Sequence, residues 1–380
     1  MAQLTEVARW EWRLGDVGEP GRLLQEFVVS RGIPADTLAI LGQQYRAGLP
    51  AQLRDRRVAI LISAAGASAI AGLTPAPSGA SRPANPTPRL PDVAAVVYMP
   101  QPTPVNPPQR VPGEYELGEW VPSWSPAEHR RAVEKVRDAI AAGELYQANM
   151  VGHASVPYSG DPIAGLQAVA KLPGATYGQV LTGDGWVVAT GSSESLLHVS
   201  EGLIRTRPIK GTRARTRAGR RELLTSEKER AEHIMIVDMA RNDISHVAEI
   251  GSVVVERLFT PQPWCQLWQA ESTVRAQLLP AANLVDVLRA LAPAASVTGA
   301  PKKAALSLID ELEPVGRGPS MGVMGWLSPA ALKLAVTIRT VAAVDGRLHA
   351  WAGGGITWGS DPAAEVAEAA EKIQPICTVL

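Results

Sequence analysis

The chain has 380 residues, of which 46% are hydrophobic, and it carries 37 basic and 37 acidic side chains. A balanced charge argues against wrapping nucleic acid or binding an acidic membrane surface, and the hydrophobic content is that of a globular protein with a sizeable core. Two cysteines, Cys265 and Cys377, make no disulfide framework, so we expect a cytoplasmic protein. The N-terminus lacks a basic segment followed by a long apolar stretch, so we expect neither signal peptide nor membrane span.

The N-terminal third contains short apolar runs and a proline-rich stretch. Residues 57–63 form an apolar run that is typical of a buried strand. Residues 74–112 are rich in proline, which breaks helices and cannot donate to a sheet ladder. We therefore predict mostly extended connection there, interrupted by a strand-like segment at 92–98.

The remainder of the chain alternates helical and strand-like segments without an internal repeat. Ser125 followed by proline and by Glu128 predicts a helix start, and Gly143 predicts its end near residue 142. We predict strands at 186–190, 203–206, 251–256 and 335–339, and helices at 226–241, 282–291, 302–312 and 362–373. This order is mixed α/β and is not a simple βαβ series.

A lysine among arginines marks the segment from Arg205 to Arg213, which we interpret as a rigid turn around Pro208. Gly211 lets the backbone approach a ligand closely. Nearby arginines disfavour another positive charge, so we predict a lowered pKa for Lys210. A neutral lysine amine is a nucleophile or a base. The alternative is a surface turn with scattered basic residues. Taken without the rest of the chain, this segment favours that alternative.

Two predicted helices carry paired carboxylates. Glu229 and Glu232 lie three residues apart on one helix, and Glu365 and Glu368 do so on another. Ser226 with Glu229 predicts a capping box. The alternative is two solvated faces, but Glu232 lies in an apolar run where a carboxylate needs a partner. Four inward carboxylates would need a cation among them, and oxygen ligands suit Mg²⁺ rather than Zn²⁺.

Five blocks of the sequence together resemble the chorismate-utilising enzymes, in the order and spacing of that family from about residue 120 onwards. The blocks are 208–212, 231–243, 296–302, 337–340 and 352–356. The resemblance implies an α+β fold like that of anthranilate synthase component I, with two sheets packed between outer helices in one intertwined α/β unit. It implies a chorismate-binding catalytic domain at 119–380, and an N-terminal region at 1–112, with its proline-rich connection, that adds strands to the same fold.

The resemblance also implies roles for the acidic residues. Glu232 and Glu368 match the two Mg²⁺ ligands of the family, with Glu229 and Glu365 nearby or bound through water. Glu194 matches the general acid/base at the departing hydroxyl of chorismate. Hydroxide is a poor leaving group, so this acid needs a raised pKa. The alternative for Glu194 is an ordinary loop glutamate.

Further positions match the family's contacts to substrate. Arg339 can clamp a carboxylate through two hydrogen bonds, and a glycine run can offer backbone N–H groups. The alternatives are a surface strand residue and a tight turn. The glycines concerned are Gly353, Gly354 and Gly355, and the matches to ring-binding positions are Gly211, Thr212 and Thr298. Trp326 stands where relatives often have tyrosine, which predicts a missing hydroxyl contact.

Three positions favour one branch of the family. Gln147 stands where enzymes that add water to chorismate carry a lysine base, which argues against isochorismate or salicylate synthesis. Lys210 stands where anthranilate synthases usually have alanine and aminodeoxychorismate synthases have a lysine that attacks C2 before ammonia attacks C4. Gln269 replaces, at or near its place, a histidine that assists pyruvate elimination. We therefore expect a transferase that makes 4-amino-4-deoxychorismate, toward 4-aminobenzoate and folate.

The sequence also bears on the source of ammonia and on competing functions. Neither cysteine lies in a Gly-x-Cys-x-Gly setting, so we expect a separate glutamine amidotransferase subunit, with free ammonia as the alternative. Other candidates are an anthranilate synthase-like enzyme, an enzyme making the same product for secondary metabolism, and an inactive docking subunit. A nucleic-acid binder using the arginines of residues 205–221 is disfavoured by the neutral charge and the lack of interleaved aromatics.

Overall fold

The computed structural model describes residues 4–73, 83–100 and 114–380. Of the predicted proline-rich connection at 74–112, residues 74–82 and 101–112 lie outside the described residues. The described strands are, in chain order, β1 (Leu4–Trp12), β2 (Arg57–Ile62), β3 (Val93–Pro100), β4 (Tyr115–Leu117), β5 (Val121–Pro122), β6 (Gln147–Gly160), β7 (Gln179–Thr182), β8 (Trp186–Thr190), β9 (Ser195–Ser200), β10 (Leu203–Arg207), β11 (Ile209–Ala214), β12 (Val254–Trp264), β13 (Leu267–Gln277), β14 (Gly299–Ala300), β15 (Val323–Ser328), β16 (Ala331–Val336), β17 (Thr340–Val344) and β18 (Arg347–Ile356).

The helices of the described ranges pack around these strands. They are α1 (Pro20–Ser30), α2 (Gln43–Gly48), α3 (Ala51–Arg54), α4 (Ala64–Ile70), α5 (Pro126–Ala141), α6 (Ile163–Ala170), α7 (Arg217–Thr225), α8 (Glu227–Ser245), α9 (Leu284–Leu291), α10 (Lys302–Leu312) and α11 (Pro362–Val379).

The strands form two sheets. The first has the order β1-β3-β2-β15-β16-β9-β10-β13-β11, and β12 also pairs with β13. The second has the order β14-β6-β18-β17-β8-β7, and β4 and β5 pair with β6. The N-terminal strands β1 to β3 join the first sheet through the pairing of β2 with β15. Strands from the two ends of the chain therefore belong to one sheet.

The main core lies between the sheets, and helices cover them. Apolar side chains of both sheets meet in one cluster, with Val96 and Leu334 from the first sheet and Val188 and Trp351 from the second. Helices α1 and α4 pack on the first sheet, α9 packs on both of them, and α5, α6, α10 and α11 pack on the second sheet. The predicted α+β arrangement of two sheets between outer helices is confirmed.

The helix predictions hold better at helix starts than at helix ends. Ser125 and Glu128 form the predicted capping box of α5, and α10 has the predicted bounds. Helix α11 continues past the predicted end to Val379. Ser226 caps α8 by accepting from the N–H of Glu229, but the predicted reciprocal bond is absent because the Glu229 carboxylate pairs with a cation instead.

The predicted strand 335–339 is wrong at its end. Strand β16 stops at Val336, and Arg339 adopts a left-handed φ of 54° before β17 begins in the other sheet. The chain also crosses between the sheets where β8 leads into β9, at residues 191–194. The two crossings are bonded together, because Gly191 donates to the carbonyl of Arg339 and Val336 donates to that of Glu194.

The predicted turn at 205–213 is also wrong. Strands β10 and β11 both pair with β13, with Thr206 opposite Val274 and Ile209 opposite Glu271. This is one almost continuous register, interrupted at Pro208, which has no N–H to donate. The segment is therefore a bent strand that carries Lys210. In the same region, β12 begins at Val254, three residues after the predicted start.

Candidate active site

A cavity of about 350 Å³ lies where β11, β18, α8 and α11 meet the two crossings between the sheets. It brings together nearly all residues that the sequence suggested as site residues. They are Glu194, Lys210, Gly211, Thr212, Glu229, Glu232, Arg339, Gly353, Gly354, Gly355, Glu365 and Glu368. Residues that are more than 170 positions apart in the chain thus line the same cavity.

Two residues of the sequence analysis lie elsewhere. Thr298 is buried, and its hydroxyl donates to the carbonyl of Ala294 at 2.8 Å instead of facing the cavity. Trp326 lies in β15 and packs against Tyr98, with ring centroids 5.5 Å apart. The prediction that Trp326 removes a hydroxyl contact to substrate is wrong, because this side chain does not line the cavity.

Arg339 presents a buried positive charge to the cavity without a carboxylate partner among the described residues. Its guanidinium lies 3.5 Å from the ring centroid of Trp264, and Nη1 donates to Ser193 and Gln269 at 3.1 and 3.3 Å. The buried Nε has no hydrogen-bond partner within the described part of the chain. Burial lowers the pKa of Arg339 to about 9. Such a group is suited to bind an anion with directed hydrogen bonds.

Glu194 is a buried carboxyl group on the other crossing, at residues 191–194. It is 4% exposed, and one oxygen accepts from the Ser296 hydroxyl at 2.6 Å. Burial raises the pKa of Glu194 to about 7, against the ordinary value near 4.5. This is the direction that the sequence analysis required of a proton donor to a leaving hydroxyl.

The amine of Lys210 is held by two oxygens of the cavity. Its Nζ lies 2.9 Å from a Glu232 oxygen and donates to the carbonyl of Gly355 at 3.0 Å. Burial acts to lower the pKa of Lys210, but the charge of Glu232, with those of Glu365 and Glu368, outweighs it and the net pKa is raised. The predicted lowering of this pKa is therefore wrong.

The reason lies in the arginines that were expected to repel the lysine, because each is engaged elsewhere. Arg205 and Arg213 form ion pairs with Glu256 and Glu229, whereas Arg207 donates to the neutral hydroxyl of Tyr177 and keeps its charge. Ion pairing with a carboxylate cancels most of the field that an arginine would impose on a neighbouring amine. The nearest charge to Lys210 is the carboxylate of Glu232.

The four carboxylates predicted to surround a metal ion each have a partner of their own. Besides the pairs of Glu229 and Glu232, a Glu368 oxygen lies 2.7 Å from Lys372 Nζ, and Glu365 accepts from the Ser360 hydroxyl at 2.6 Å. No group of three or more acidic, histidine or cysteine side chains is arranged around a metal position in the described ranges. Carboxylate oxygens still match Mg²⁺ in chemistry, so binding the ion requires Glu232 and Glu368 to exchange a lysine for it.

The glycine run faces the cavity from β18. The carbonyls of Gly353 and Gly355 accept from Lys372 and Lys210, so in this state the glycines offer oxygens to the lysines. A Cβ at Gly353 would lie 1.9 Å from the Met150 carbonyl oxygen, whereas one at Gly354 would lie 3.0 Å from a Glu365 oxygen. Gly353 is therefore needed for strand pairing, and Gly354 keeps space beside the carboxylates. The role of their N–H groups stays a prediction.

His233 is a site residue that the sequence analysis missed. Its Nδ1 lies 3.0 Å from the Lys210 carbonyl oxygen, and its Nε2 lies 2.5 Å from the Ser272 hydroxyl. Burial lowers the pKa of His233 to about 4, so the ring is neutral and tethers β11 to β13. A signal was present, because His233 follows Glu229 by four residues on the inward face of α8. Ser296, which bonds Glu194 across 102 residues of chain, had no such signal.

Comparisons with known proteins agree with this architecture. The family of chorismate binding enzymes matches residues 80–378. Aminodeoxychorismate synthase component 1 of Klebsiella aerogenes is 36% identical over 264 residues, which cover 68% of this chain and 58% of that protein. Anthranilate synthase component 1 of Streptomyces coelicolor is 35% identical over 277 residues, covering 71% and 54%. The chain thus spans little more than half the length of these relatives.

Solved structures share the fold. Anthranilate synthase component I from Streptococcus pneumoniae superposes with a TM-score of 0.77 at 23% identity, covering 99% of this chain and 92% of that one. The menaquinone-specific isochorismate synthase MenF from Escherichia coli gives 0.63 at 16% identity, covering 100% and 95%. In the described part of the chain, no helix is both long and apolar enough to cross a membrane.

Proposed function

The chain belongs to the chorismate binding enzyme family, and we propose that it aminates chorismate at C4 to give 4-amino-4-deoxychorismate, with ammonia from a separate glutamine amidotransferase. The observation that carries the proposal is the presence, in one cavity, of the Lys210 amine and the buried Glu194 carboxyl. An amine and a neutral carboxylic acid are the nucleophile and the acid that displacement of a hydroxyl group needs.

Arg339 gives chorismate its anchor in this proposal. Its guanidinium is buried and has no carboxylate partner within the described ranges, so a substrate carboxylate gains charge-assisted hydrogen bonds there. Glu232 and Glu368 would hold Mg²⁺, with Glu229 and Glu365 nearby or bound through water. The ion supplies a positive charge for the second carboxylate of the substrate.

The chemistry proceeds in two displacements. The lone pair of Lys210 Nζ forms a bond to C2, both ring double bonds shift, and the C4–O bond breaks as Glu194 transfers its proton to the departing hydroxyl, which leaves as water. Ammonia then bonds to C4, both double bonds shift back, and the C2–N bond to Lys210 breaks. The surplus proton of the new amine returns to Glu194, so the enzyme is restored.

This route requires Lys210 to lose one proton before it attacks. In the described state its amine is paired with Glu232 at 2.9 Å, which favours the protonated form. The pair must therefore open when substrate binds, and the ammonium proton of Lys210 then passes to bulk water before the amine attacks.

Gln269 supports a reaction that keeps the enolpyruvyl group. Its side-chain oxygen accepts from Ser193 at 2.9 Å and from Arg339 at 3.3 Å, so it orders the anion-binding group. An amide does not exchange protons near neutral pH, as elimination of pyruvate would require.

An anthranilate synthase-like reaction is the second candidate because relatives of that name are about as similar. The name component 1 of both relatives supports a partner component.

Product analysis tests the proposal. The protein is incubated with chorismate, Mg²⁺ and ammonium, and products are identified by mass spectrometry with and without an added lyase. We expect 4-amino-4-deoxychorismate, its conversion to 4-aminobenzoate by the lyase, and loss of turnover in excess chelator. Anthranilate with pyruvate would support the second candidate, and unchanged chorismate would refute both.

Intact-mass measurement tests the role of Lys210. Without ammonia, wild-type protein and chorismate should form an adduct that Lys210→Ala lacks. Lys303→Ala is the matched control, because this lysine is on α10 and outside the cavity lining, and it should keep the adduct. Normal amination by Lys210→Ala would reduce the lysine to an electrostatic role.

A further inference from the structure

A basic surface borders the active-site cavity and takes no part in the two displacements. Residues 213–230 contain seven basic and three acidic side chains, a net charge of +4 in a chain whose formal net charge is zero. Charge is therefore distributed unevenly over the molecule. The exposed members of this group define the basic surface, and they are Arg215, Arg217, Arg220, Arg221, Lys228 and Arg230.

Helix α7 presents the centre of this surface. Its buried residues are Gly219 and Leu223, which are four positions apart, so one face of the helix packs against the protein. Arg217, Arg220 and Arg221 are exposed, and none of the three forms an ion pair with any residue that the structure describes. Their charges are therefore not cancelled by neighbouring carboxylates and extend into the solvent.

The basic surface is continuous with the active-site cavity. Arg213 and Lys228, which flank α7 in the chain, both line the cavity. Leu223 of α7 lies 3.1 Å from the position of a Cβ at Gly211, and Gly211 also lines the cavity. The helix spans roughly 14 Å at a rise of 1.5 Å per residue. This length is less than twice the distance of about 8 Å over which charges act at physiological salt, so the arginines affect ions near the cavity.

The composition of the surface favours a small anion as its ligand. Among residues 213–230, Leu224 is the one large hydrophobic residue that is exposed. A protein-binding surface has an apolar centre from which water is excluded, and the basic surface lacks one. Residues 213–230 also contain no aromatic side chain on which a base of nucleic acid could stack.

We propose that the basic surface attracts the dianionic substrate toward the active-site cavity and so raises its rate of association. The inference rests on the proposed function, because that function supplies a substrate with two carboxylates. Charges of one sign beside a cleft raise the local concentration and the association rate of an oppositely charged ligand. The attraction acts through the solvent, so the arginines need no contact with bound substrate, and salt should abolish the effect.

Stopped-flow tryptophan fluorescence tests the attraction, because Trp351 lines the cavity and reports binding. Chorismate is mixed with the full chain at a fixed Mg²⁺ concentration and without a nitrogen source. A triple variant with Arg217→Gln, Arg220→Gln and Arg221→Gln should associate about tenfold more slowly than wild type at about 0.01 M ionic strength, where charges act over roughly 30 Å. At about 1 M, where they act over roughly 3 Å, the difference should be less than about twofold. The dissociation rate constant should not change.

A second triple variant is the matched control, with Arg22→Gln, Arg31→Gln and Arg57→Gln. These arginines are exposed, and they lie on or next to α1 and on β2. Helix α1 packs on β1 and β3, and β1 and β11 are at opposite ends of the strand order of the first sheet. The control removes the same charge far from the cavity, so its association rate constant should equal that of wild type at both ionic strengths.

The outcomes separate the basic surface from the reaction. An association rate constant of the α7 variant that equals that of wild type at low salt refutes the inference, and so does an equal loss in the control. A wild type that does not bind chorismate refutes the proposed function and the inference with it. A wild type that binds chorismate faster than the α7 variant but forms no aminated product refutes the proposed function and supports the basic surface. If the α7 variant does not fold, Arg220→Gln alone should slow association about twofold at low salt.

Discussion

Glu194 combines deep burial with a single hydroxyl partner, and this decides its protonation. Withdrawal from water disfavours the carboxylate more than the Ser296 hydrogen bond and the charge of Arg339 favour it, so the pKa rises to about 7. At neutral pH a larger fraction of Glu194 is therefore protonated than of an exposed glutamate. Its titration lies in a pH range in which activity can be measured.

The pH dependence of turnover should report Glu194. As pH rises above about 7, the fraction of Glu194 able to protonate the leaving hydroxyl falls, whereas the fraction of neutral Lys210 rises. Because the lysine contributes equally to wild type and to Glu194→Gln, the ratio of wild-type kcat to that of the variant should fall about tenfold per pH unit above about 7. Glu194→Gln should lower kcat by roughly 10²- to 10⁴-fold. Rates measured between acidic and alkaline pH in chorismate-saturated assays check this. A ratio of the two kcat values that stays constant as the pH passes about 7 would remove Glu194 from the acid role.

The same carboxyl links stability to pH. The pKa of Glu194 is higher in the folded state than in the unfolded state. Its contribution to the free energy of unfolding is therefore fully present below about pH 4.5 and is lost as the pH rises through about 7. Wild type should lose stability relative to Glu194→Gln across that window.

Replacing Arg339 should have opposite effects on stability and on activity. Its charge is buried without a counter-ion in the described part of the chain, so Arg339→Met removes a desolvation cost and should raise the free energy of unfolding by about 1 kcal/mol. Loss of the anchor should cost about 2–5 kcal/mol in substrate recognition, which is roughly 30-fold or more in kcat/KM. Urea denaturation and steady-state assays measure the two quantities. A variant that is less stable and equally active would show that the guanidinium is structural.

The family resemblance assigned Lys210, Glu194 and Arg339 to one site, and the structure places these three side chains around one cavity. Their roles there stay predictions. The pKa of Lys210 was wrong because it depends on Glu232, which lies on a helix 22 residues away in sequence and whose orientation no local pattern reveals. The same limit hid the Ser296 partner of Glu194, since both lie at the ends of segments brought together only by the fold.

At the scale of elements, the site is built where the chain passes from one sheet to the other. The crossings at 191–194 and 337–339 lie side by side and supply Glu194 and Arg339. The sequence analysis extended a strand through the second crossing because Thr337, Ile338 and Arg339 follow an apolar run and have strand-like composition. Helix starts were predictable because capping is a local interaction, whereas the change of sheet depends on distant pairing.

Adjacent glycines of β18 should respond differently to the same substitution. Gly353→Ala places a Cβ 1.9 Å from the Met150 carbonyl, so pairing with β6 must shift and the protein should lose about 2 kcal/mol or more of stability. Gly354→Ala meets only the Glu365 carboxylate at 3.0 Å, so stability should change little while turnover falls. Thermal unfolding and kcat of the pair check this. Equal destabilisation by both would mean that Gly354 also serves packing.

At the scale of the molecule, the N-terminal strands complete the first sheet. Residues 58–62 of β2 are all buried, between β3 on one side and β15 on the other. A chain that begins at residue 114 would leave β15 as an unpaired apolar edge. The prediction that residues 1–112 belong to the same fold can thus be tested by dissection.

A fragment of residues 114–380 should fail to fold on its own. We expect no cooperative thermal transition, and binding of a fluorescent probe for exposed apolar surface, whereas the full chain melts in one step. Circular dichroism and probe fluorescence measure both. A fragment that unfolds cooperatively and binds chorismate would establish two independent domains.

The ion pairs of the active-site cavity have a thermodynamic consequence. Its lining carries five basic side chains and, besides Glu194, five acidic ones: Lys210, Arg213, Lys228, Arg339 and Lys372 against Glu229, Glu232, Asp361, Glu365 and Glu368. A dianionic substrate or a divalent cation that enters alone changes the net charge of the cavity by two, whereas both together leave it unchanged. On the proposed function, the two ligands are therefore positively coupled. By linkage, Mg²⁺ must tighten chorismate binding by the same factor by which chorismate tightens Mg²⁺ binding.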